Sequence, residues 1–246
     1  MSSFPHFHSS GASCQLSIFA LALLSVLILC LAFQYERFWK DPSKTSVAWI
    51  GLLYAIMCLS AQYYVSSNSN PDPHHTDLGM QPQYLDQVVQ CLNLADYPRG
   101  GPYVLEALIH YFAIEHFRCR DTEPSVCVVF GIIIRLALHM GCHRDPRHLP
   151  AITPFQGEMR RRIWAILHSG DVMLSMQIGC PRMISDDQWD TAPPRSLLDN
   201  DFDEDCEVLP PSRPESEVTS VLYIIARHRL FNVMGTIADM STTVRP

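Results

Sequence analysis

Read by its alternation of apolar and polar positions, the chain falls into helical periods separated by polar or proline-rich breaks. Leu16 to Phe33 is an apolar run interrupted only by Ser17 and Ser25, long enough to span a bilayer. A second uncharged run, Val47 to Val65, carries Trp49, Tyr54, Ser60, Gln62, Tyr63 and Tyr64, whose polar atoms suit a core helix better than a lipid-facing one. Residues 66–80, rich in Ser, Asn, Pro and Asp, form a solvated loop. Gln83 to Ala95 then repeats apolar residues at intervals of three and four until Pro98-Arg99-Gly100-Gly101 stops it, and Tyr103 to Phe117 repeats the theme.

Pro124, after Asp121 and Thr122, opens a helix that Gly141 ends. From Pro124 to Met140 only Arg135 and His139 carry a charged or imidazole side chain, so this helix is expected at the centre of the fold. Thr153-Pro154-Phe155-Gln156 reads as an N-cap, a first-turn proline and the third residue of a capping box, starting a helix to about Ile178. The acidic, proline-rich stretch Asp186 to Pro214 lacks a period and is expected to be a long surface connection. Glu217 to Met240 is a final helix, with Val218, Val221, Leu222, Ile225, Leu230, Val233 and Met234 spaced to bury one side. The fold class expected is all-α.

Composition narrows what such a fold does. Of 246 residues, 48% are hydrophobic and 17% charged, which excludes a disordered or collagen-like chain. The net charge of −7 makes the chain a poor general ligand for phosphate backbones. Nine widely spaced cysteines with no C-x-x-C fit buried free thiols in a reducing compartment and exclude a zinc finger or binuclear zinc cluster within this chain. No nucleophile elbow, P-loop, dinucleotide fingerprint or H-E-x-x-H occurs, which speaks against an enzyme.

Three constellations remain. His139, Cys142 and His143 are a candidate metal or thiol site, weighed against two partly exposed imidazoles and a buried thiol at a helix end. Arg160, Arg161 and Arg162 point about 100° apart on a helix and share no face. Glu158 and Arg162, spaced i,i+4 with the acid first, read as a solvated surface pair. The His6/His8 and His74-His75 pairs lie in loops, where a solvated role is expected.

Three stretches, Arg135 to Pro146 (RLALHMGCHRDP), Phe155 to Trp164 (FQGEMRRRIW) and Ile184 to Pro194 (ISDDQWDTAPP), taken in this order and spacing, resemble the fungal-specific transcription factor domain, the regulatory middle region of zinc binuclear cluster activators. The resemblance covers roughly residues 34–240, with residues 1–33 a separate apolar N-terminal segment. Its signature residues, read as structural, are Arg135, Gly141, His143, Arg144, Asp145, Glu158, Arg161, Arg162, Trp164, Asp171, Gly179, Pro181, Asp186, Asp187 and Asp190. His143-Arg144-Asp145 is expected to be a charged turn tying a helix end to its neighbours. Cys142 stands where the family commonly has Leu, and Gly179-Cys180-Pro181 where it commonly has Gly-Arg-Pro.

The resemblance implies a transcription regulator of the nucleus controlling metabolic or secondary-metabolite genes, and sensing of a small inducer. The six cysteines that hold the family's two zinc ions are not in this sequence, so no cofactor is expected in the chain, nor specific DNA binding by it alone. Dimerisation with a full-length relative or another transcription protein would supply the reader. The apolar N-terminal segment, truncation at the C-terminus and the absent cluster leave two further expectations: Leu16 to Phe33 is either a membrane anchor or intron or shifted sequence in place of the domain's own N-terminus. The alternative function is a membrane-anchored helical protein.

Overall fold

A computed structural model describes residues 34–67, 80–119 and 124–242. Within them the chain forms seven helices and no strand, the all-α class the periodicity predicts. They are α1 (34–40), α2 (Val47–Ser67), α3 (Gln81–Leu94), α4 (Val104–Arg118), α5 (Pro124–His139), α6 (Pro154–Ile178) and α7 (Leu222–Thr242). Packing follows chain order: α2 lies against α3 and α4, α4 against α5, α5 against α6, and α6 against α7. Leu16 to Phe33, the loop around His74 and His75, and the residues ahead of Pro124 lie outside the described residues.

The core of the first half is built on α2. By length and composition Val47–Val65 could cross a membrane. Its inner face, Ala48, Trp49, Leu52, Ala55 and Cys58, is buried in the helical core, as the polar atoms of the run predict. Gly51 lets α2 and α3 close up, since a Cβ there would come within 2.9 Å of the Cys91 Cβ.

The expected centre of the fold shifts from α5 to α6. Helix α5 buries Val126, Phe130, Ile133, Ile134 and Ala137, but Val128 is 65% exposed and Ile132 lies on the same outer face. Helix α6, less apolar in composition, is buried from Phe155 through Ser175 except at Gln156, Arg160 and Arg161. Its ends form as the sequence requires: Thr153 Oγ1 accepts from Gln156 N at 3.2 Å, Gln156 Oε1 accepts from Thr153 N at 3.4 Å, and Gly179 closes the helix at φ 68°. Gly170 is the point of closest approach to α5, where a Cβ would meet the Phe130 ring at 2.6 Å.

Two further expectations hold only in part. The stretch from Asp186 to Pro214 joins α6 to α7 with much of its length exposed, as a surface connection would, but Thr191, Pro194, Ser196, Leu197 and Phe202 are buried in it. Its composition looks solvated because its apolar residues are few and aperiodic, yet its backbone donors find acceptors inside the protein, as described below. Helix α7 begins at Leu222 and buries Ile224, Ile225, His228, Gly235 and Ala238, leaving Val218, Leu230 and Val233 outside. Small residues face inward because the backbone comes close: a Cβ on Gly235 would lie 2.7 Å from Arg182 Nη1 and 3.4 Å from Val172 Cγ2.

Candidate functional site

Buried carboxylates organise the region that carries the signature. Asp145 follows the tight turn at Gly141, whose φ of 75° ends α5. Its buried side chain accepts from Arg161 Nη2 and Nε at 3.0 and 3.1 Å, from Arg147 N at 3.1 Å and from Ala192 N at 2.8 Å. Burial alone would raise this carboxyl, but the Arg161 bonds and the two backbone donors hold it down at about 2. The same turn is tied from the other side: Asp145 N donates to Asp190 Oδ1 at 2.8 Å, Asp190 N to the His143 carbonyl at 3.0 Å, and the Thr191 hydroxyl to the Cys142 carbonyl at 2.8 Å. Arg144 Nη2 lies 3.2 Å from Asp190 Oδ2.

The other two carboxylates sit on α6. Glu158 and Arg162 are a fully buried pair, 3.3 Å apart, not the solvated one their spacing suggests. The helix face they occupy is covered by the α6–α7 connection: Glu158 Oε1 accepts Arg195 N at 3.0 Å, and the Arg162 guanidinium lies 5.1 Å over the Phe202 ring. Burial pushes the Glu158 carboxyl up against the pull of Arg162. Asp171 accepts Met183 N at 2.9 Å and Ile184 N at 2.8 Å, and burial raises it too, against these two donors. All three carboxylates thus bind backbone N–H groups of a segment that has no strand ladder or helix to satisfy them.

This arrangement accounts for all three arginines of the run. Arg160 donates to the Met140 carbonyl at 2.8 Å, Arg161 binds Asp145, and Arg162 binds Glu158. Chemically, the region is a clamp that fixes the end of α5, α6 and the connection to one another.

Other signature residues are placed separately. Asp186 is exposed and lies 3.1 Å from Arg182 Nη1, whose guanidinium also binds Asp239 on α7. Asp187, exposed, accepts from Ser185 Oγ at 2.6 Å. Arg135 and Pro181 are exposed, and Gly179 serves as the α6 cap. Trp164 is buried in a ring cluster with His143, Trp189, His168 and His228, centroids 5.1 to 6.3 Å apart in sequence. Burial lowers His168, and burial together with His168 lowers His228 to about 4.

His139, Cys142 and His143 are not gathered: His139 is exposed, Cys142 is buried, and His143 packs against Trp164. Among the described residues no group of three or more His, Cys, Asp or Glu side chains could hold a metal ion. Burial pushes the Cys142 thiol up to about 11, which keeps it protonated and poorly nucleophilic. Sequence reasoning passed over Arg182, Trp189, Arg195, His168 and His228. For His228 the available signal was an imidazole inside an apolar helical stretch with no acidic residue one turn away.

The model of the family described as the fungal specific transcription factor domain matches residues 12–240. The chain belongs to this family. The matched stretch takes in Leu16 to Phe33 as well as all the described helices except the last two residues of α7. The domain is 45% identical over 213 residues to the Zn(2)-C6 fungal-type transcription factor mpsB of Macrophomina phaseolina, covering 87% of this chain and 29% of that protein. It is 44% identical over 225 residues to the pyrrolocin cluster transcription factor fsdR of a fungal species, covering 87% and 29%. It is 43% identical over 220 residues to the equisetin cluster transcription factor eqxF of Fusarium heterosporum, covering 87% and 32%. The domain therefore spans about a third or less of the length of these relatives, which are transcription factors and not enzymes. No solved structure matches it.

Proposed function

We propose that the chain is a regulatory region of transcription control, acting in the nucleus on genes of a secondary-metabolite cluster through contacts with other proteins and not through the DNA duplex. The observation that carries this reading is the family match together with relatives named for pyrrolocin and equisetin clusters. The geometry supports the protein-contact part. The three consecutive arginines, the obvious candidates for phosphate contacts, bind Met140, Asp145 and Glu158, and the chain carries a net charge of −7. What the fold supplies is a rigid helical body whose shape a partner can read.

The test has two arms. Fused behind a heterologous DNA-binding module that does not activate by itself, the chain is expected to change transcription of a reporter, and an unchanged reporter overturns the regulatory reading. In a gel-shift assay the chain alone is expected to leave duplex DNA unretarded; sequence-specific, salt-sensitive retardation overturns the protein-contact reading. A tagged chain is expected in the nuclear fraction. Carbonate-resistant membrane association that disappears on deleting residues 1–34 would instead favour an anchored protein.

A further inference from the structure

Two cysteines from different elements come together where α6 ends. Arg160, near the start of α6, reaches the Met140 carbonyl at the end of α5, and further along α6 Gly170 meets Phe130. From the first contact to the second, α6 advances by as many residues as α5 goes back, so the two helices run antiparallel and in step. Helix α6 therefore reaches its Gly179 cap beside the first turn of α5. Past the cap the chain folds back along α5, since a Cβ on Gly131 would lie 3.3 Å from Met183 Sδ. Cys180 falls between these two levels. Cys127 does as well, one turn before Gly131 on the same face of α5. The two thiols interact: burial first, and then the negative charge of a Cys180 thiolate, push the Cys127 thiol up. Cys180 is exposed and Cys127 half-buried, and the Cys180 backbone is pinned by its N–H, which donates to the Ser175 carbonyl at 3.0 Å.

We propose that Cys127 and Cys180 are a redox-sensing thiol pair, oxidised by a hydroperoxide to an intramolecular disulfide that fastens the end of α6 to the start of α5 and is released by a thiol reductant. Exposure assigns the roles. The Cys180 thiolate sulfur attacks hydrogen peroxide: an S–O bond forms, the O–O bond breaks, and the departing hydroxide leaves as water with the proton the thiol gave up. Cys180 is then a sulfenic acid, oxidised by two electrons. The Cys127 sulfur attacks the Cys180 sulfur: the S–S bond forms, the S–O bond breaks, and hydroxide takes the Cys127 proton as a second water. The balance is two thiols and one peroxide to one disulfide and two waters. Two molecules of glutathione reverse it and leave as oxidised glutathione. The first step needs an accessible thiolate, which excludes Cys127; the second needs only that Cys127 lie next to Cys180. In a reducing compartment such a link is transient and reports the oxidant. By closing a loop of roughly 50 residues it removes freedom from the unfolded chain and steadies the folded one. This inference rests on the packing of α5 against α6 and stands independently of the regulatory reading.

The full chain, reduced and then freed of reductant, is treated with a small molar excess of hydrogen peroxide, blocked in denaturant with N-ethylmaleimide and digested with trypsin. Cleavage after Arg120, Arg135, Arg162 and Arg182 leaves Cys127 as the one cysteine of peptide 121–135 and Cys180 as the one cysteine of peptide 163–182. Mass spectrometry of the monomeric fraction is expected to find these two peptides joined, and dithiothreitol to separate them. In Cys127→Ser the link is expected to vanish and dimedone to label Cys180 as the trapped sulfenic acid. In Cys180→Ser, which alters an exposed side chain, Cys127 is expected to remain alkylatable after the same treatment. Oxidised wild type is expected to melt about 5–15 °C above the reduced chain, as a link between native neighbours does, and neither serine variant to show the shift. Oxidised Cys180 beside a free Cys127, predominant linkage of Cys180 to another cysteine or between chains, or a linked chain that melts no higher than the reduced one overturns the proposal.

Discussion

Replacing Asp145 by Ala tests the clamp most directly. The substitution removes one acceptor from two guanidinium donors of Arg161 and from the backbone N–H groups of Arg147 and Ala192, all at 2.8 to 3.1 Å. Asp145 is fully buried and the Arg161 side chain is 15% exposed, so the loss is that of a buried pair, about 3–5 kcal/mol. For a chain of this size that corresponds to a fall in Tm of roughly 6–20 °C. Linkage provides a second estimate. The carboxyl is displaced from 3.8 to about 2, and at about 1.4 kcal/mol per unit this is worth about 2–2.5 kcal/mol to the folded state. The folded pKa is the lower one, so this contribution is complete above the unfolded value near 4 and is lost as pH falls toward about 2. Asp145→Asn keeps the shape and one acceptor and is expected to lose about 2 kcal/mol, the charge-assisted part. Urea titrations of wild type and both variants between acid and neutral pH would measure these differences. The stability gap between wild type and Asp145→Ala should be flat at neutral pH and close in acid. An alanine variant that melts within 2 °C of wild type, or a gap that does not narrow in acid, would show that the carboxylate does not hold the turn.

His228, lowered to about 4 by burial and by His168, stays uncharged in the folded state, so stability is expected to be full above the unfolded imidazole value of 6.5 and to decline as pH falls toward 4; His228→Phe should flatten the urea-midpoint profile over that window. Thiol labelling of the native chain by iodoacetamide, followed by mass spectrometry, should modify exposed Cys180 well before Cys142, whose thiol is buried and raised to about 11; equal rates would contradict the packing around the α5 end. Gly170→Ala places a methyl carbon 2.6 Å from the Phe130 ring and is expected to cost about 1–3 kcal/mol of overpacking by chemical denaturation, and Phe130→Leu in the same chain should recover part of it.

Helix ends and periods were legible along the chain because their causes are local. The Thr153 box, the Gly179 cap and the turn at Gly141 need only neighbours within a few residues, and each appears where its residues predict. The interior ranking was not legible. Helix α5 has the more apolar composition, yet α6 is the more deeply buried, because its polar residues find partners far along the sequence: Glu158 at Arg195, Asp171 at Met183 and Ile184. Glu158 and Arg162 at i,i+4 look like a surface pair by spacing alone; what buries them is Phe202 and the backbone at Arg195, which spacing does not encode. The face of α7 was misassigned for a related reason. Two apolar stripes compete on that helix, and the one that packs is the smaller, since Gly235 and Ala238 allow an approach that Leu230 and Val233 would prevent.

Because Asp145, Glu158 and Asp171 hold the connecting segment by its amide hydrogens, the grip is indifferent to which side chains that segment carries. Proline is the exception at positions 183, 184, 192 and 195, where it would delete the hydrogen that is held. A saturation library across the domain should therefore look lopsided. Apart from Asp190, whose carboxylate accepts the Asp145 N–H, residues exposed along 182–195 would accept nearly any replacement but proline, while positions 145, 158 and 171 would reject all but another acceptor, so that the tolerant surface and the intolerant one lie in direct contact.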